Sequence, residues 1–183
     1  MATVISGDTG VSQVQNNTVS PVKLTQPLTL ATAQATTSGT SIDFTGIPSW
    51  VKRITIMFNG VSTNGTSRVQ VQLGTSGGIE TSGYTGLTGY FGGANVTGYT
   101  SNSSGLDTAY GQTGSARTGT IVLQLISGNT WIATCALSSV VDTSLVLMGV
   151  SKTLSGQLDR VRITTVNGTD TFDAGSVNIL YEG

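Results

Sequence analysis

Between Gly39 and Gly74 the chain reads GTSIDFTGIPSWVKRITIMFNGVSTNGTSRVQVQLG. Three short runs carry large apolar residues at every second position: Ile42/Phe44, then Ile54/Ile56/Phe58, then Val69/Val71/Leu73. Period-two alternation over so few residues is the pattern of strands with one face buried, and it is incompatible with a helical stripe. Gly, Pro and Asn-Gly steps separate the runs, and Asn59-Gly60 and Asn64-Gly65 read as hairpin turns because both residue types tolerate positive φ. This segment commits the chain to a β-sheet architecture.

The second half repeats the pattern. TIVLQLI (120–126) and TWIATCAL (130–137) flank Ser127-Gly128-Asn129 as a hairpin, with Trp131, Ala133, Cys135 and Leu137 on one face. SLVLMGV (144–150) is apolar enough to be buried on both faces. RVRITTV (160–166) alternates Val161/Ile163 with Arg160/Arg162, a turn follows at Asn167-Gly168-Thr169, and SVNILYE alternates Val177, Ile179 and Tyr181. Residues 74–119 are rich in Gly, Thr, Ser and Tyr, and a structureless loop of that length inside a compact domain is unusual. Short strands around Tyr84, Tyr90/Phe91 and Val96/Tyr99 are expected there. Regular strand spacing with turn signals and no amphipathic helix predicts an all-β fold, an antiparallel jelly-roll-like β-sandwich over residues 37–183. Trp50 and Trp131 are both read as core.

Residues 1–36 differ. Val11, Val14, Val19, Val22 and Leu24 recur without a period of 2 or 3.6, and Pro21 and Pro27 interrupt any helix or central strand. An extended N-terminal arm that packs on another surface, with these five residues as its contacts, is the reading adopted over a solvated linker.

Composition narrows the chemistry. Histidine is absent from the 183 residues, which removes the commonest general base and transition-metal ligand. The single Cys135 excludes an internal disulfide and a Cys-based zinc site, and reads as a buried structural thiol. The nine carboxylates stand mostly beside Gly, Ser or Thr, and none pairs with another in the way a glycosidase requires. Asp170 and Asp173 would suit an oxygen-ligated calcium by chemistry, but TDTFD lacks the EF-hand spacing. No catalytic residue, cofactor site or metal site is therefore assigned, and no enzyme is expected. A net charge of −1 with scattered Lys and Arg offers nothing to nucleic acid. No run approaches the ~18 apolar residues of a membrane helix. MATVISGDTG has neither the basic nor the apolar region of a signal peptide, so synthesis in the cytoplasm is expected.

One constellation suggests binding. Tyr84, Tyr90, Phe91, Tyr99 and Tyr110 lie among glycines and hydroxyl residues. Aromatic faces beside Ser and Thr donors suit a neutral glycan surface; the alternative is that these rings fill the core or a subunit interface.

The stretch SIDFTGIPSWVKRITIMFNGVSTNGTSRVQVQLG resembles a segment of bacteriophage tail-fibre and related virion appendage proteins, and FDAGSVNILYEG resembles the close of the same domain type. The likeness covers about residues 38–183, and GVSQVQNNTVSPVKLTQP is similar to the connecting segments that precede such domains. The resemblance implies a β-sandwich tip domain, assembly as a homotrimer and a place on the virion. It implies other virion proteins as partners for the arm, with host surface glycan a further candidate. A short tail fibre is the leading expectation; a head fibre, capsid decoration or tail-completion protein without a receptor is the alternative.

Overall fold

Ile54, Ile56 and Phe58 point inward from one long strand, β4 (Arg53–Thr63), and its alternate residues Arg53, Thr55, Met57 and Asn59 point outward. Such alternation is the physical reason the chain folds as stacked sheets: each strand offers one apolar face that only a second sheet can cover. The computed structural model describes residues 28–92, 95–109 and 113–183 (for 95–97, backbone only). Within them lie β1 (Thr29–Leu30), β2 (Gln34–Ala35), β3 (Ser41–Thr45), β4, β5 (Val69–Thr75), β6 (Gly78–Ile79), β7 (Tyr84–Gly92) and β8 (Asn95–Asn102). These are followed by β9 (Leu106–Asp107), β10 (Arg117–Ser127), β11 (Thr130–Ser139), β12 (Ser144–Thr153), β13 (Arg160–Thr165) and β14 (Phe172–Glu182).

The strands form two antiparallel sheets. The larger, of nine strands, runs β1-β14-β4-β10-β11-β12-β7-β8, with β2 also on the outer side of β14; the smaller, of five, runs β3-β13-β5-β6 with β9 beside β5. One continuous apolar core lies between them, drawing Ile54, Ile56, Ile121, Leu123, Leu137, Val146 and Ile179 from the large sheet and Ile42, Phe44, Val71, Leu73, Val161 and Ile163 from the small one. Each such isoleucine or leucine contributes about 1.5–3 kcal/mol by leaving water. The expected all-β sandwich is present, and the Tyr-rich segment forms one long hairpin, β7–β8.

Four local expectations are corrected. Asn59-Gly60 is no turn: it sits inside β4 as a bulge, with Gly60 at φ +65° opposite Gly175 at φ +93°, where β4 and β14 change register. SLVLMGV is buried on one face only, leaving Leu145 and Leu147 outward. Trp50 lies in the turn before β4, partly buried, with its ring 5.9 Å from that of Tyr181 and tilted by 48°. Finally, the sheet begins before Gly39. β1 and β2 pair with β14, and Thr36 is buried, its hydroxyl donating to the Ala174 carbonyl at 2.6 Å. Val11, Val14, Val19, Val22 and Leu24 lie outside the described residues.

Cys135 is buried on the inner face of β11, its thiol 3.7 Å from the Val146 carbonyl. Burial pushes that thiol up to about 12, against the opposing charge of Arg117. Only a thiolate reacts. The native protein is therefore expected to resist maleimide at mildly alkaline pH and to label fully in denaturant. Fast native labelling would show that β11 is accessible.

Candidate interaction surface

The charged residues explain little of the outer surface, because most are spent on each other. Arg53–Glu182, Arg68–Asp107, Arg117–Asp142, Lys152–Glu80, Arg160–Asp159 and Arg162–Asp43 form six ion pairs among the described residues. Asp170 accepts from the Ser67 amide and the Asn167 side chain, and Asp173 accepts from the Ser62 hydroxyl. Each described carboxylate thus has its own partner, and no two converge on a shared space. Burial pushes the Asp107 carboxyl up, with Arg68 and the Ala109 amide pulling the other way. Among the described residues, no three His, Cys, Asp or Glu side chains cluster as metal ligands would.

What the surface does present is an apolar field on the large sheet. Alternation along β12 sends Val146, Met148 and Val150 into the core and Leu145 and Leu147 outward, each 45% exposed. Register then extends the field: Leu145 lies opposite Phe91, Leu147 opposite Gly89 and Gly149 opposite Leu87. On the far side of β7, Gly89 faces Tyr99, which is 76% exposed. At the end of the strands Phe91 and Leu145 line a shallow depression with Val140 from the β11–β12 turn.

The five aromatic residues singled out in the sequence do not act together. Tyr84 is 4% exposed, its hydroxyl accepting from the Leu73 amide at 2.7 Å and donating to the Glu80 carbonyl at 3.0 Å, with Lys152 Nζ 5.4 Å from its ring centre. That ring is enclosed and has no face for a ligand. Tyr90 turns inward opposite Val146, partly buried against the core, and its ring lies over Gly98. Phe91 and Tyr99 stand on the outer face, and Tyr110 lies outside the described residues. The residues that sequence reasoning missed are Leu87, Leu145 and Leu147. Their signal was present in the strict alternation of β12, but an apolar run reads as doubly buried when its neighbours are unknown.

An all-β sandwich with a broad uncharged apolar face is the class that these features define. Set against known proteins, the chain matches no family model, no curated protein and no solved structure.

Proposed function

We propose that this protein is a non-enzymatic structural component of a bacteriophage particle, a short tail fibre or similar appendage that assembles as a homotrimer. The observation that carries the reading is where the two resembling stretches fall. SIDFTGIPSWVKRITIMFNGVSTNGTSRVQVQLG supplies β3, β4 and most of β5, and FDAGSVNILYEG supplies β14; β4 and β14 lie side by side with Ile56 opposite Ile179, while β3 and β5 flank β13 in the small sheet. The wording that suggests the family thus contributes neighbouring strands to the large sheet and both partners of β13 to the small one. In this reading the segment before β1 docks on the particle, and the sandwich is displayed outward.

A second reading, a head fibre, decoration or tail-completion protein without a receptor, is favoured by the aromatic residues. Tyr99 alone of the described four is strongly exposed, and the surrounding field is leucine rather than stacked rings. Host-glycan binding therefore rests on Tyr99 and Phe91.

Purified full-length protein is expected to give the mass of a trimer by light scattering at micromolar concentration and to co-sediment with phage particles. A monomer would overturn the trimer, and absence from purified particles would overturn the virion role. Glycan binding lost in Tyr99→Ala would favour the receptor-binding form, and no binding by the parent protein would favour the structural one.

A further inference from the structure

The five adjacent strands β10, β11, β12, β7 and β8 hold two charged residues between them, Arg117 and Lys152, and both are turned inward and buried. The outer face of more than half of the large sheet therefore carries no charge at all. The Arg53–Glu182 pair, on β4 and β14, lies beyond it toward the opposite edge. Such charge depletion is unusual on a solvated sheet face and typical of the centre of a protein–protein interface. The geometry points to this face, centred on Leu87, Leu145, Leu147 and Tyr99, as the surface on which a second copy of this chain packs. The inference rests on the self-association proposed above and names the surface that mediates it.

Area supports it. With Phe91 and Val140 at the rim, the apolar side chains offer on the order of 600 Å² of exposed surface, at the top of the ~300–600 Å² seen on ordinary monomers. Adding the surrounding threonines and serines brings the face near the ~800 Å² per partner of a standard stable interface.

Shape selects the occupant. Leucine and glycine alternate both along and across the strands: Leu147 faces Gly89, and Gly149 faces Leu87. A side chain built at Gly149 would meet open space, so ridges and hollows of similar size share one patch. A patch carrying both a ridge and a hollow lets the leucines of one copy enter the glycine hollow of the next around a three-fold axis, and uncharged copies strand no charge when they meet. A glycan platform would instead centre on aromatic planes beside hydrogen-bond donors, and here the centre is aliphatic.

Sedimentation velocity on the full chain tests the inference. The parent protein is expected to sediment as an oligomer, and the Leu145→Glu/Leu147→Glu double variant as a monomer that retains its β-sheet circular dichroism. Both leucines face outward, so their replacement spares the core. Gly149→Val is the second probe: its backbone lies outside the left-handed region and its hollow is open, so the fold should tolerate it while the filled hollow weakens association at least tenfold. If the parent is oligomeric and both variants stay so, this face is the wrong one and self-association stands. A monomeric parent overturns both.

Discussion

Asp142→Ala is expected to cost the fold about 3–5 kcal/mol, because it removes the carboxylate that faces a buried guanidinium. Arg117, 1% exposed, is the largest fully buried side chain among the described residues. Its Nη2 meets Asp142 Oδ2 at 3.3 Å and its Nη1 donates to the Ser144 hydroxyl at 2.8 Å. Ser115 and Ser144 each donate to the carboxylate at 2.5 Å, so the pair sits in a cage of hydroxyls that ties the start of β10 to the β11–β12 turn. Removing the carboxylate takes the Asp142 counter-ion away from a charge that stays buried. For a chain of this length that loss corresponds to a fall in melting temperature of roughly 6–20 °C. Arg117→Met combined with Asp142→Leu should recover much of it, since neither charge is then left alone. Urea unfolding of the three variants reads both effects, and an Asp142→Ala midpoint equal to the parent's would mean that water reaches the pair.

The same network sets a pH dependence. Burial would raise the Asp142 carboxyl, but the hydroxyls of Ser115 and Ser144, the charge of Arg117 and the Ser139 hydroxyl outweigh it, and the net direction is downward. A carboxyl held lower in the folded state than in the unfolded chain stabilises the fold above its unfolded value. That stabilisation is lost as pH falls through the depressed folded value. Stability should therefore decline on acidification below the ordinary carboxylate range, and the decline should be shallower in the Arg117→Met/Asp142→Leu protein.

Gly119→Ala is expected to be at least as damaging. Gly119 lies in β10 between Phe58 of β4 and Leu137 of β11, beside the register shift that the Asn59-Gly60 bulge of β4 introduces. Its φ is +136°, and a Cβ would sit 2.2 Å from the Ala136 carbonyl oxygen and 3.0 Å from the Leu137 Cα. The obstacle is backbone held in a sheet from both sides, so nothing can yield cheaply. The conformational cost alone is about 1–3 kcal/mol, and separating β10 from β11 adds to it. Loss of soluble protein, or a melting temperature lower by 10 °C or more on the scale of roughly 2–4 °C per kcal/mol, is the expected result. Gly128→Ala is the control. That residue also has positive φ, +53°, but it stands in the β10–β11 turn with open space around it, and about 1–2 kcal/mol is expected. Equal melting temperatures for the two variants would show that β10 can shift within the sheet.

The sandwich was legible because its strands obey a local rule. Ile54/Ile56/Phe58 and Trp131/Ala133/Cys135/Leu137 stand at every second position, and all seven side chains are buried. What the sequence left open depends on partners far along the chain. Asn59-Gly60 has the wording of a hairpin turn, yet the β14 backbone runs beside it and makes it a bulge. Arg117 in SARTG reads as a surface residue until the turn carrying Asp142 is brought to it. The interaction surface was half legible: Tyr99 and Phe91 were picked out by composition. Leu87, Leu145 and Leu147 were not, because which side of an apolar strand is covered depends on the second sheet.

The position of β14 has a consequence for how the protein is made. It lies between β4 on one side and β1 and β2 on the other, and joins segments distant in the chain: the Asn178 side chain donates to the Ala31 carbonyl across 147 residues. Until residues 172–182 leave the ribosome, β4 has a bare edge and β1 and β2 have nothing to pair with. A nascent chain with such an edge is open to pairing with its neighbours, and pairings this distant in sequence form slowly. The sheet closes last between β4 and its β1 edge, so a polysome carrying many copies holds many unfinished edges at once. Chaperone demand should therefore peak just before β14 emerges, and copies shortened within β14 should accumulate as aggregate rather than as a smaller folded domain.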